Sequence, residues 1–213
     1  MNRIDVLGIE FDNIDIVEAV ERAMRLMDEH CHAYVVTPNP EIVLESRKNK
    51  GLSAAVRSAD MVLPDGVGVI YASHILGTPI KNRIPGIDFA SALLARMSES
   101  EKKVFLLGAK PGVAELAAQR LTERYPGLLV CGVNDGYFDQ ADNEFLVKKI
   151  NSAAPDLIVV CLGSPKQEIW MKNNAQQLDV GLMIGLGGAL DVYAGVVERA
   201  PRRWRSMGLE WLY

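Results

Sequence analysis

The side chains of this chain that could do chemistry lie in short segments that each follow an apolar run. Pro64-Asp65-Gly66-Val67-Gly68 places a carboxylate directly after Val62-Leu63. Asp-Gly is a common turn, and a carboxylate at a strand end can also take a proton from a hydroxyl. Thr37-Pro-Asn-Pro-Glu41 offers the Thr37 hydroxyl and the Asn39 amide to a sugar. Asn39 is equally a good N-cap, with Pro40 a good first helical residue. Arg83-Ile-Pro-Gly86-Ile-Asp88 sets an arginine just before a helix start. Most arginines are solvated surface groups, but one in a rigid loop can grip a diphosphate with paired hydrogen bonds.

Three more segments repeat the strand-to-glycine pattern. Gly108-Ala-Lys-Pro-Gly112 is neither GxGxxG nor a P-loop, since no GK[ST] follows. It still sets Gly108 and a helix N-terminus beside a strand end, a place suited to phosphate or ribose. In Gly163-Ser-Pro-Lys-Gln-Glu168 the residues fit a capping box, with Ser164 as N-cap, Pro165 first in the helix and Gln167 at the third position. Alternatively Lys166 and the helix dipole face a phosphate. Gly185-Leu-Gly-Gly-Ala-Leu-Asp191 puts Gly187 where the backbone can approach a ligand closely.

Metal chemistry has no motif to stand on. Asp-x-Asp, which many nucleotide-sugar transferases use to hold a divalent ion, is absent. The three histidines (30, 32, 74) and three cysteines (31, 131, 161) show no metal-ligand spacing. His30-Cys31-His32 is contiguous, and successive residues of a strand would point opposite ways. No cofactor is called for. Charge on a leaving group would then be balanced by Arg, Lys, amides and helix ends.

These segments are positioned by an alternation of apolar runs and helical patterns. The runs at 4–9, 33–36, 61–63, 104–107, 128–133, 157–162 and 180–186 are bounded by Gly, Pro, Asp or Asn. Several, such as Leu157-Ile-Val-Val-Cys-Leu162, are apolar at every position, as in strands covered on both faces. Between them, Val17, Val20, Met24 and Met27 form one stripe of a helix over 14–29. Helices are also predicted over 86–98, 111–124, 142–153 and 165–178. The expected fold is α/β and Rossmann-like, a mostly parallel sheet with helices on both faces. Ligands bind outside the carboxyl ends of such strands.

Composition fits one domain: 213 residues, 49% hydrophobic and 23% charged. Cys161, inside an apolar run, reads as a buried free thiol, and the cysteines suggest a reducing, cytoplasmic setting rather than a disulfide framework. No signal peptide opens the chain, and no run reaches the length needed to span a bilayer. The net charge of −4 is uneven: residues 199–213 hold Arg199, Arg202, Arg203, Arg205 and Glu210, a +3 tail on a −7 body. An acidic body does not suggest nucleic-acid binding. With Trp204 and Trp211, the tail reads as the start of a basic, aromatic segment over 196–213, either membrane-facing or a solvated docked helix. Residues 1–195 form the catalytic domain in this reading. Exposed Trp and Leu in the tail could also drive self-association into a homo-oligomer.

The ordered set of Thr-Pro-Asn (37–39), Pro-Asp-Gly (64–66), Arg-Ile-Pro-Gly (83–86), Leu-Leu-Gly (106–108), Gly-Tyr-Phe (136–138), Gly-Ser-Pro-Lys-Gln-Glu (163–168), Gly-Gly-Ala-Leu-Asp (187–191) and Arg-Ala-Pro…Gly-Leu-Glu-Trp-Leu (199–212) resembles the WecG/TagA/CpsF glycosyltransferase family almost end to end. The resemblance implies a bacterial, inverting, metal-independent transferase, peripheral on the cytoplasmic membrane face. TagA-type members move N-acetylmannosamine from UDP-N-acetylmannosamine to the 4-hydroxyl of undecaprenyl-diphosphate N-acetylglucosamine, in wall teichoic acid synthesis. It implies Asp65 as general base, Thr37, Asn39 and Gln167 as pocket residues and Arg83 as the loop arginine. It also implies a chain that continues beyond Tyr213 with a basic, helical tail completing the site.

Alternatives stay open at this level. Another donor, such as the mannosaminuronic acid or another hexose, fits the same frame. A non-catalytic UDP-sugar-binding protein would have the same pocket. A dinucleotide-dependent oxidoreductase is disfavoured, because Gly8-Ile-Glu-Phe-Asp12 lacks the glycine set after the first strand.

Overall fold

The computed structural model describes residues 2–139, 141–201 and 204. Two strands, β1 (Arg3–Val6) and β2 (Ile9–Asp12), form an antiparallel hairpin. Helix α1 (Ile16–Asp28) follows, then β3 (Ala33–Val36), α2 (Pro40–Ser46), α3 (Lys50–Arg57), β4 (Met61–Val62), α4 (Val67–Ile75) and α5 (Gly86–Met97). The second half runs β5 (Lys103–Gly108), α6 (Val113–Arg124), β6 (Leu129–Asn134), α7 (Asn143–Ala153), β7 (Leu157–Cys161), α8 (Lys166–Asn174), β8 (Leu182–Gly185) and α9 (Ala189–Tyr193). Strands β3 to β8 make one parallel sheet in the order β4-β3-β8-β7-β5-β6. The expected α/β, Rossmann-like architecture is therefore what the chain adopts.

The unbroken apolar runs have the reason anticipated for them. Along β7, Leu157, Val159 and Cys161 pack on one face while Ile158 and Val160 pack on the other. Strands β3, β5 and β8 divide their side chains in the same way. One face is covered by α1, α5, α6 and α9, with Phe89, Leu93 and Met97 fully buried. The opposite face is covered by α2, α3, α4, α7 and α8, with Leu52, Trp170 and Met171 in its core. Truncating a buried aromatic such as Phe89 to Ala would cost about 3–5 kcal/mol.

The first apolar run departs from expectation. Residues 4–9 do not form a strand of the parallel sheet; the run folds back on itself as the β1–β2 hairpin. The turn, Leu7-Gly8, takes positive φ at both residues (56° and 91°), the pattern that matches the twist of a two-residue hairpin. Asp12, 1% exposed, anchors the hairpin: its carboxylate receives Arg3, Arg22 and the Val62 N–H at 3.2, 3.0 and 2.8 Å. His30-Cys31-His32 lies in the α1–β3 connection, just before the strand expected at 33–36. There His30 bonds to Asp179 and His32 to the Leu178 carbonyl.

The connections create the crevice. From β3 and β7 the chain leaves toward the α2/α8 face, and from β8 and β5 toward the α9/α6 face. Neighbouring strands β3, β8, β7 and β5 thus send their loops to opposite sides, the arrangement that opens a ligand cleft at their carboxyl ends.

Candidate active site

Asp65 sits where three loops meet at this cleft. Its backbone N–H donates to the Pro38 carbonyl at 3.3 Å, tying it to the Thr-Pro-Asn segment. Its Oδ2 accepts the Gly86 N–H at 3.0 Å, and the Ile84 N–H donates to Pro64 at 2.9 Å, tying it to the Arg83 loop. Gly86 is the first residue of α5, whose N-cap, Pro85, offers no capping side chain. Asp65 supplies that cap from a distant segment, and the helix N-terminus favours its negative charge. The Asp-Gly sequence does turn here, with Gly66 at φ 82°. The turn and the placement of the carboxylate are one feature.

Thr37 and Asn39 flank this carboxylate. A Cβ on Gly86 would lie 2.9 Å from Thr37 Oγ1, so the bare glycine lets α5 start against the threonine. Thr37 in turn reaches the Gly185 carbonyl at the end of β8 at 3.4 Å. Asn39 is the N-cap of α2, its Oδ1 accepting the Ile42 N–H at 2.9 Å. That uses the carbonyl end of the amide and leaves Nδ2 without a hydrogen bond among the described residues, so capping does not preclude ligand contact. Arg83 is half-buried in the loop immediately before Ile84.

At Gln167 the capping-box alternative does not hold. Helix α8 begins at Lys166 with Pro165 as its N-cap, and no side chain caps it. Ser164 is not the cap and Gln167 does not close a capping box. Gln167 is instead 4% exposed and turned into the cleft floor. Its Oε1 accepts the Gly187 N–H at 2.9 Å and its Nε2 donates to Glu168 Oε1 at 2.8 Å. The side chain lies over Gly185, where a Cβ would come within 3.1 Å of Nε2. Gly187 (φ 54°) has open space on its Cβ side. Asp65, Thr37, Asn39, Gln167 and Gly187 thus form one continuous cluster across the ends of β4, β3 and β8.

Lys166 and Gly108 belong to the neighbouring part of the cleft. Lys166 Nζ donates to the Gly136 carbonyl at 3.0 Å and stands 4.6 Å from the Phe138 ring centroid. It braces the loop that carries Gly-Tyr-Phe. Gly108 (φ 131°) lets β5 meet β7: a Cβ there would lie 2.2 Å from the Cys161 carbonyl oxygen. That close approach requires a glycine at this position. Cys161 is a buried free thiol as expected, and desolvation pushes its pKa up to about 12.

Three features of the site were not nominated from sequence. Gly86 appeared only as a motif letter, and its N–H holds Asp65. Glu168, 2% exposed, follows Gln167; Gln167, Trp170, Met171 and Asn174 are buried at helical spacing, a stripe that would have marked α8 as turned inward. Burial pushes the Glu168 carboxyl up from its ordinary value, opposed chiefly by the hydrogen bond from Gln167. Asp88, in the first turn of α5, forms a bidentate pair with Arg199, at 2.5 and 3.0 Å. Arg199 therefore docks the C-terminal segment onto the helix that holds Asp65. Arg202, Arg203, Arg205 and Trp211 lie outside the described residues.

The sequence profile of the glycosyl transferase WecG/TagA/CpsF family matches residues 4–213. The chain belongs to this family. Among similar proteins are the N-acetylglucosaminyldiphosphoundecaprenol N-acetyl-beta-D-mannosaminyltransferases of Staphylococcus aureus strains NCTC 8325 / PS 47, COL and MRSA252. Each is 37% identical over 213 residues, covering 99% of this chain and 83% of the relative. Among the described residues no helix is long and apolar enough to cross a membrane, and no three His, Cys, Asp or Glu side chains are grouped to hold a metal ion.

Proposed function

We propose that this chain transfers N-acetylmannosamine from UDP-N-acetylmannosamine to the 4-hydroxyl of undecaprenyl-diphosphate N-acetylglucosamine, with inversion and without a metal, in wall teichoic acid synthesis. The observation that carries the reading is the Asp65 carboxylate, held by the Gly86 N–H at the α5 N-terminus between Thr37, Asn39 and the Arg83 loop. The names of the similar Staphylococcus aureus proteins support this donor sugar and acceptor.

The reaction is a single in-line displacement. The acceptor oxygen attacks the anomeric carbon as Asp65 Oδ1 takes its proton. The bond from that carbon to the diphosphate oxygen breaks, and its electron pair leaves with UDP. Arg83 offsets the charge that develops there, assisted by the uncapped N-terminus of α8. Thr37 and the Asn39 amide orient the sugars. Gln167 orients the sugars with them, and its amide also holds the Gly187 turn through Oε1. Lys166 holds the 136–138 loop through one of its three N–H groups and offers the others to the diphosphate. The segment from Val196 onward, with Val196, Val197 and Trp204 exposed beside the basic run, meets the inner membrane surface where the acceptor is anchored.

A donor panel with a short-chain lipid-diphosphate N-acetylglucosamine acceptor, in EDTA, tests this reading. The expected result is transfer from UDP-N-acetylmannosamine, with UDP release that requires the acceptor. Preference for a uronic-acid donor would replace the sugar assignment, acceptor-independent binding without turnover would favour a sensor, and a metal requirement would overturn the mechanism.

A further inference from the structure

The core of α8 contains a carboxyl group that the mechanism above leaves unused. Glu168 is 2% exposed; its Oε1 accepts from Gln167 Nε2 at 2.8 Å, its Oε2 makes no well-formed hydrogen bond among the described residues, and the Ser164 hydroxyl and its own backbone N–H give the carboxyl weaker support than Gln167 does. Burying a polar group this way is costly, and an apolar side chain of similar size would fill the same space without that cost. Packing therefore does not account for a carboxyl here.

The donor and acceptor pattern does account for it. The Gly187 backbone N–H can only donate, so the Gln167 atom facing it must be the carbonyl oxygen. The amide NH2 then faces Glu168, which must accept. Of the two neighbours, Gly187 needs the oxygen and Glu168 secures the nitrogen, so together they remove the alternative flipped orientation of the amide. A flipped amide would set its NH2 against the Gly187 N–H, and the turn over Leu186–Gly188 would lose its tie to α8. That turn follows the end of β8, where Thr37 reaches the Gly185 carbonyl, and Gly187 has open space on its Cβ side.

We propose that Glu168 is a positioning residue for the transfer reaction, fixing the Gln167 amide so that Gln167 holds the Gly187 turn beside Thr37. The proposal rests on the reading of the Asp65 cluster as the reaction site. Glu168 touches neither substrate in this account; it acts only through Gln167.

The test is a double-mutant cycle on the full chain, read by steady-state transfer and by thermal unfolding. Glu168→Met is expected to lower kcat/KM for the nucleotide-sugar donor about tenfold or more, with acceptor KM changed less than about twofold. Glu168→Gln keeps an acceptor oxygen for Gln167 Nε2 and is expected to stay within about threefold of the parent. In a Gln167→Met background, adding Glu168→Met is expected to cost less than about twofold, since the group it acts through is gone. Losses that multiply in the double variant would overturn the proposal, as would normal turnover in a folded Glu168→Met. If Glu168→Met does not fold, Glu168→Gln still decides: a loss beyond about tenfold at normal thermal stability contradicts the proposal, and retention supports it. Asp65→Asn is measured alongside. Normal turnover there removes the reading of the site itself, whereas a dead Asp65→Asn with a fully active Glu168→Met removes only the role of Glu168.

Discussion

Gly86→Ala should damage both stability and turnover, although alanine is the better helix former. The added Cβ would stand 2.9 Å from Thr37 Oγ1 and 3.2 Å from Thr37 Cγ2 and Leu186 Cδ2. These atoms belong to the ends of β3 and β8, which the sheet holds in place, so α5 must give way. Overpacking of this kind costs about 1–3 kcal/mol. Replacing glycine by alanine inside a helix returns at most about 1 kcal/mol, and less at the first position. The net loss is about 1–2 kcal/mol, or a fall in Tm of about 2–8 °C for a chain of this size. Turnover should fall about tenfold or more, because the residue displaced carries the N–H that holds Asp65. Gly51→Ala is the control: its Cβ would meet Asn49 and Ile169 at an ordinary 3.4 Å within α3, so Tm should rise slightly with activity unchanged. Scanning calorimetry and transfer assays well below Tm decide the matter. An unchanged or raised Tm in Gly86→Ala with full turnover would refute the reasoning.

Other perturbations separate the parts of the account. Gly108→Ala should lose at least about 3 kcal/mol by denaturant unfolding, since the residue has φ 131° and its Cβ would strike the Cys161 carbonyl; a well-folded variant would contradict the close approach of β5 and β7. Glu168 has a folded-state pKa raised by burial, so its favourable contribution is complete below the ordinary carboxylate value of about 4.5 and is lost as pH rises through the folded value. Glu168→Gln should therefore gain thermal stability relative to the parent as pH is raised above about 4.5. Glu45 also bears on this carboxyl, and a difference independent of pH would count against a buried titrating acid. Arg199→Ala should speed chymotrypsin cleavage at Trp204 while changing global stability by less than about 1 kcal/mol, the scale of a partly exposed pair; unchanged cleavage would contradict docking through Asp88.

Much of the fold was legible because two-faced burial leaves a direct mark. Strands that are apolar at every position, separated by amphipathic helices, leave few alternatives to a parallel sheet covered on both sides. The 4–9 run misled for a local reason: the positive φ of Leu7 is unusual for that residue, and nothing in its type announces a turn. Helices α3 and α4 were not anticipated, α4 because it is apolar around most of its circumference and lacks a polar face to reveal its period. At the site, residue types marked Asp65, Thr37, Asn39 and Arg83 through their position after strands. Gln167 was legible as a residue of interest but not in its surroundings, since Ser-Pro-Lys-Gln satisfies the pattern of a capping box that the backbone does not form. The roles of Gly86 and of the Asp88–Arg199 pair depend on contacts 21 and 111 residues apart in sequence, which no local pattern encodes.

The most direct test of the central claim is Asp65→Asn, assayed for transfer to the lipid-diphosphate acceptor and for UDP binding in the same preparation. Asparagine keeps an oxygen for the Gly86 N–H, so the fold and the α5 N-terminus should stand, and UDP should bind with near-parental affinity. Turnover should fall by about 10²–10⁴-fold, the range for loss of a positioned general base. A variant that binds UDP normally and transfers sugar at a near-parental rate would contradict the assignment of Asp65.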